Sequence, residues 1–105
     1  MLGASIDSQF SHKAWDESGA LGDMKYPLMS DLSKKISSKY RVLNSDGFSI
    51  RGTFLINPEG TIVYQMVNTP EIGRNVAEIL RVLDACQSGG LCPANWNKGD
   101  KNLEV

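Results

Sequence analysis

Three observations predict an α/β fold. Two β-branched and aromatic runs, Thr53-Phe54-Leu55-Ile56 and Thr61-Ile62-Val63-Tyr64, flank Asn57-Pro58-Glu59-Gly60. Proline second and glycine fourth is the chemistry of a type I turn, so this stretch reads as a β-hairpin. Leu32, Ile36, Tyr40 and Leu43 recur at helical spacing before the hairpin, and Val76, Ile79, Leu80, Leu83 and Cys86 do so after it. Segments of strand period and helix period therefore alternate along 105 residues, at most one domain.

The elements follow in order. Leu2 to Ile6 is a short apolar run and the first expected strand. Ser11 is expected to cap the next helix, with Phe10 and Trp15 at the N′ and N4 positions of a hydrophobic staple. Residues 18–22, rich in glycine, end that helix. Asp31 caps a second helix whose apolar stripe is buried while Lys34, Lys35, Ser38 and Lys39 face water. Asn44-Ser45-Asp46-Gly47 is a turn, and the hairpin follows. The last helix starts near Asn75, with Glu78 as a reciprocal cap, and stops at Gly89-Gly90. Its stripe places Cys86 in the core as a small buried hydrophobe. The polar tail from Asn97 to Val105 is expected to be mobile. The order is thus strand, helix, helix, hairpin, helix. It resembles the later part of a thioredoxin-like layer, with about three strands, which is thin for an independent sheet. Residues 1–88 form the expected partial core and residues 89–105 a C-terminal arm.

Composition narrows the function classes. A hydrophobic fraction of 41% with 22% charged residues is ordinary for a globular chain. The net charge of −1 comes from interspersed charges, with no basic stripe for nucleic acid. No apolar stretch reaches the roughly 20 residues that span a bilayer, and the first residues have no basic start or long apolar run. A cytoplasmic protein is expected. With one histidine and two cysteines at no paired spacing, a metal-binding module is disfavoured.

Cys92 is the residue that packing does not explain. It follows Gly89-Gly90-Leu91 and precedes Pro93, which keeps it out of a helix, on a strap near a chain end. A thiol so placed can reach another sulfur. A Cys86–Cys92 disulfide remains open as one pairing, at the cost of fraying the helix end. Arg51 stands just before a strand that looks buried, where a charge needs a partner. Arg74 precedes a helix N-terminus, where a cation is mildly unfavourable. His12 is expected to satisfy local hydrogen bonds, and no hydroxyl or thiol nucleophile with a matching partner stands near it in sequence.

Four motifs, in order, resemble one family. Residues 5–15 (Ser-Ile-Asp-Ser-Gln-Phe-Ser-His-Lys-Ala-Trp), residues 51–56 (Arg-Gly-Thr-Phe-Leu-Ile), residues 67–75 (Val-Asn-Thr-Pro-Glu-Ile-Gly-Arg-Asn) and residues 92–96 (Cys-Pro-Ala-Asn-Trp) are similar to segments of typical 2-Cys peroxiredoxins. That group includes the peroxidase component of alkyl hydroperoxide reductase and the thioredoxin peroxidases. The resemblance implies a thiol-dependent peroxidase acting on hydrogen peroxide and alkyl hydroperoxides, without cofactor or metal. It makes Cys92 the resolving cysteine, which condenses with a sulfenic acid on a partner subunit to give a disulfide. A thioredoxin-like or flavoprotein reductant then reopens that bond. It places Arg51 beside the peroxidatic sulfur, where a guanidinium favours the thiolate and donates to the peroxide, and gives Arg74 a supporting electrostatic role. It implies a homodimer or decamer, with the Phe10 and Trp15 region where subunits meet.

The family's peroxidatic cysteine lies in a proline-threonine-cysteine motif, and neither Cys86 nor Cys92 stands in one. The chain is therefore expected to be the C-terminal portion of such a protein, inactive as a peroxidase by itself. The family's tyrosine-phenylalanine helix and double glycine are also missing, which implies a parent resistant to overoxidation. The alternative is a non-catalytic thiol fragment that associates with other peroxiredoxin subunits.

Overall fold

A computed structural model of the chain describes residues 1–104. Four strands and three helices occur among them: β1 (Gly3–Ser5), α1 (Gln9–Glu17), β2 (Leu28–Ser30), α2 (Lys35–Lys39), β3 (Arg51–Ile56), β4 (Ile62–Asn68) and α3 (Val76–Gln87). The fold is α/β, as the alternating periods predict. The chain divides into two compact units, Met1–Gly52 and a second that begins at Thr53.

In the first unit, β1 and β2 pair in parallel, with Gly3 opposite Leu28 and Ser5 opposite Ser30. Parallel pairing requires a crossover, and α1 supplies it and lies against β2. β2 is an addition to the expected order. It is three residues long and follows Pro27, too short to show a period.

Helix α1 begins one turn earlier than expected. Ser8, not Ser11, is its N-cap, and the Ser8 hydroxyl accepts from the Ser11 amide at 3.1 Å. Phe10 therefore falls inside the first turn and is 74% exposed, so the Phe10–Trp15 staple does not form. Trp15 is half-buried and stacks obliquely on His12, ring centroids 5.4 Å apart.

Helix α2 is a single short turn, and its expected stripe is not its buried face. Leu32 and Ile36 are exposed, whereas Ser37 is buried and shares a 2.6 Å hydrogen bond with Ser49. Asp31 does cap the helix, but from a distance. A tight turn intervenes, closed by the Lys34 amide on the Asp31 carbonyl, and Lys34 takes the left-handed conformation at φ 64°. The Asp31 carboxylate then reaches past it to the amides of Ile36 and Ser37, at 3.1 and 2.7 Å.

β3 and β4 form a second two-stranded sheet. Residues 57–61 connect them, too short for a parallel crossover, so the pair is the predicted hairpin. Gly60 donates to the Asn57 carbonyl at 2.9 Å and sits at φ 84°, the conformation that makes glycine necessary after a type I turn.

Helix α3 starts at the predicted cap, where Asn75 Oδ1 accepts from the Glu78 amide at 3.2 Å. It ends at Ser88, followed by Gly89 at φ 73°. Its apolar stripe is only partly covered: Ile79 and Leu83 are half-buried, Val76 and Leu80 are 61% and 54% exposed, and no residue of the helix is buried. Among the described residues the buried hydrophobic side chains are Val42 in the first unit and Trp96 in the second. No helix among the described residues is long and apolar enough to cross a membrane.

Candidate thiol site

The site is built on the end of α3. The chain leaves the helix through Ser88 and Gly89, runs through Leu91 to Trp96, turns, and comes back. Leu91 and Leu103 form an isolated antiparallel bridge, with the Leu103 amide donating to the Leu91 carbonyl at 2.6 Å. The described part of the tail is thus folded back on the strap, a pairing its polar composition did not predict. Backbone pairing explains the difference: polar side chains face water while the main chain pairs along its own strap.

Between the bridge partners the loop is closely knit. Residues 93–96 form a turn, with the Trp96 amide on the Pro93 carbonyl at 3.3 Å and Asn95 at φ 61°, a position asparagine tolerates. Trp96 is 3% exposed and its indole Nε1 donates to the Asp100 carbonyl at 3.1 Å. The Asn97 amide donates to the Asp100 carboxylate at 2.9 Å.

Cys92 is half-buried and its thiol is free. Its Sγ lies 3.8 Å from the carbonyls of Ala85 and Gly90 and 3.4 Å from the Ser88 hydroxyl. Asn102 Nδ2 donates to the same sulfur at 3.4 Å and to Ser88 at 3.2 Å. These are long, weak contacts that hold a sulfur in place without burying it.

Gly90 makes the close return of the tail possible. A Cβ there would lie 2.6 Å from Asn102 Nδ2 and 2.7 Å from its Cγ. Gly90→Ala is therefore expected to push Asn102 away, weaken the Leu91–Leu103 bridge and raise the alkylation rate of Cys92 several-fold, at a stability cost of about 1–3 kcal/mol. Iodoacetamide labelling against time checks it.

Cys86 is exposed, not part of a buried stripe, and it too is a free thiol. The open outer face of α3 accounts for the correction. Arg74 is exposed, and its Nε donates to Thr53 Oγ1 on β3 at 2.8 Å. Arg51 is exposed at the first position of β3. Contacts at the Cys92 sulfur come from Ala85, Ser88, Gly90 and Asn102.

Sequence reasoning missed the residues that grip the loop. Arg81, on α3, donates through Nη1 to the Trp96 carbonyl at 2.7 Å. Its Nε and Nη2 form a fork on the Glu78 carboxylate at 2.6 and 2.8 Å. Glu78 thus turns to Arg81 and is not seen to close the reciprocal cap expected of it. The hydrogen bond from Arg81 holds the Glu78 carboxyl below its usual range, and the same bond raises the Arg81 guanidinium above its own. The Glu–Arg pair at i, i+3 was legible in the sequence; the carbonyl it reaches was not.

His12 is buried at 6% exposure, with Nε2 and Ser5 Oγ 2.6 Å apart. A serine against a histidine invites a nucleophile–base reading. The acid is in the wrong place, however: Asp7 accepts from Ser5 at 3.0 Å, while His12 Nδ1 is buried without a hydrogen-bond partner. A triad needs the carboxylate on that second nitrogen. The cluster ties β1 to α1 instead.

A parallel βαβ unit, a hairpin and a closing helix that carries a thiol loop together make the later part of a thioredoxin-like α/β fold. The AhpC/TSA family model matches residues 1–65. Among relatives, the putative peroxiredoxin ycf42 of Pyropia yezoensis is 53% identical, over 98% of this chain and 56% of its own length. The mitochondrial thioredoxin-dependent peroxide reductase of Drosophila melanogaster is 47% identical, over 92% of this chain and 45% of its own length. The crystal structure of reduced Plasmodium vivax 2-Cys peroxiredoxin superposes with a TM-score of 0.91 at 41% identity, over 98% of this chain and 57% of that one. The chain belongs to the AhpC/TSA family. It spans about half the length of the relatives it matches.

Proposed function

We propose that this chain supplies the resolving half of a thiol-dependent peroxidase that reduces hydrogen peroxide and alkyl hydroperoxides. The observation that carries the proposal is the placement of Cys92. It is a free, half-buried thiol in the Cys92-Pro93-Ala94-Asn95-Trp96 loop, anchored by buried Trp96 yet held only by contacts of 3.4 Å and longer at the sulfur itself. In the reaction, a peroxidatic thiolate outside these residues attacks the peroxide O–O bond, becomes a sulfenic acid and releases water or an alcohol. Cys92 sulfur then attacks the sulfenic sulfur, forming S–S and expelling water. A dithiol reductant of the thioredoxin or flavoprotein type reduces the disulfide by exchange. Arg51 and Arg74 act on the peroxidatic side, as fixed cations that favour thiolate and stabilise charge on the departing oxygen. The exposed Phe10 and half-buried Trp15 contribute to the contacts between protomers in a homodimer or decamer, and the assembly works in the cytoplasm.

The test is disulfide capture. The chain is mixed with a full-length 2-Cys peroxiredoxin whose own resolving cysteine is serine, and peroxide is added. The expected product is a mixed disulfide on a non-reducing gel, formed by the parent chain and by Cys86→Ser but not by Cys92→Ser. The chain by itself is expected to consume no peroxide. Capture through Cys86, or peroxide turnover by the chain alone, would overturn the proposal. Association with the partner without any disulfide would favour the non-catalytic assembly reading instead.

A further inference from the structure

We infer that Arg81 is a positioning residue for Cys92: the latch that sets how often the thiol loop leaves its docked place on α3. The inference rests on the proposed role of Cys92 for its purpose, but its geometry is independent of that role. The loop is held at two ends. Near the thiol, the Leu91–Leu103 bridge and Asn102 are exposed or half-exposed to water, which competes for such bonds. At the far end, the Arg81 guanidinium, itself half-exposed, meets the carbonyl of Trp96, the most buried hydrophobic residue of the second unit, so charge and not burial sets this bond apart.

That bond is charge-assisted and pre-aimed. Glu78 and Arg81 are one turn apart on α3, so the fork between them fixes the guanidinium plane before the loop arrives. Only Nη1 is then directed at Trp96. A carbonyl in that place accepts from a fixed cation, and a charged hydrogen bond is worth about twice a neutral one. Docked, the loop keeps the Cys92 sulfur against the carbonyls of Ala85 and Gly90. To meet a sulfur on another protomer the thiol must turn outward, and the bond that opposes this most is the one Arg81 makes.

The experiment reads the loop without peroxide or a partner, so it can fail separately from the resolving assignment. In a Cys86→Ser background, Cys92 is reacted with a small aromatic disulfide; its thiolate attacks one sulfur, the S–S bond breaks, a protein mixed disulfide forms and an aryl thiolate leaves. Amide exchange of residues 91–103 is followed in parallel. Arg81→Met, which keeps bulk and loses the charge and the donors, is expected to raise both the Cys92 rate and loop exchange by about tenfold or more. The β3–β4 hairpin should exchange as before. Arg81→Lys, a point cation with no fork, should recover part of the effect, and Glu78→Gln should move both readouts the same way by a smaller factor. Unchanged Cys92 rates in Arg81→Met and Glu78→Gln would overturn the inference. Faster exchange spread evenly over the hairpin and α3 would overturn it too, because it would show a general support of folding rather than a latch.

Discussion

Trp96→Ala is expected to be the most damaging single substitution in the second unit, lowering stability by about 3–5 kcal/mol, the usual range for truncating a buried tryptophan. The reason is scarcity. Helix α3 leaves Val76 and Leu80 open, and Trp96 is the buried hydrophobic residue there among those described. A domain's net stability is about 5–15 kcal/mol, and a core this thin gives no reserve near the upper end. The substitution also deletes the indole donor on Asp100 and leaves the carbonyl that Arg81 holds on a loop without an anchor. Urea unfolding followed by far-ultraviolet circular dichroism measures the loss. Trp96→Phe is the control: it keeps an aromatic body and loses the Nε1 bond, so it should cost about 1 kcal/mol beyond its smaller area. A midpoint for Trp96→Ala close to that of the parent would refute the placement of Trp96 at the centre of this unit.

The parts of the fold that were legible in the sequence share a property: local chemistry decided them. Asn57-Pro58-Glu59-Gly60 makes its turn because proline and glycine fix the backbone there, whatever surrounds them. Asn75 caps α3 because a short side chain can reach an amide one turn on. Sequence and structure part where two local solutions compete or where distance along the chain matters. Ser8 and Ser11 are both good caps, and the helix takes the earlier one. β2 is invisible alone, since three residues become a strand only through their pairing with β1. The stripes of α2 and α3 have helical spacing, but spacing tells which residues share a face and not whether anything covers that face. Helical spacing therefore puts Cys86 in a core that is not there, and the residue is exposed.

The site divides in the same way. Cys92 stands out in the sequence because glycine and proline isolate a thiol that no helix or strand needs. What holds it does not stand out, because Arg81 acts on a backbone carbonyl, and Asn102 reaches it from ten residues away. Backbone acceptors carry no residue signature. A loop anchored through them is recognised only once the chain is folded, and this is why the thiol is legible in the sequence while the latch is not.

Acidification is expected to unwind α2 before the rest of the first unit, through Asp31. This carboxylate is 3% exposed and accepts from two amides. Burial alone would raise its carboxyl, but hydrogen bonds from Ser37 and Ile36 outweigh that and hold it below the ordinary aspartate value of 3.8. The sign follows from proton counting. In the window between the two values the unfolded chain binds the extra proton, so stability rises with pH there. The contribution is complete above the ordinary aspartate range and is lost as pH falls through the lowered native value. Protonation removes an acceptor charge from two amides that have no other cap, since Lys34 at the formal cap position offers no side-chain bond. Protection of the Ile36 and Ser37 amides, taken as their exchange relative to the intrinsic rate at the same pH, should therefore fall several-fold between about pH 5 and about pH 3. In Asp31→Asn the same amides should be loose throughout and respond much less to pH, because the remaining amide oxygen carries no charge to lose. If the parent and Asp31→Asn show the same pH dependence at Ile36 and Ser37, the acid sensitivity of α2 belongs to another carboxylate and not to this cap.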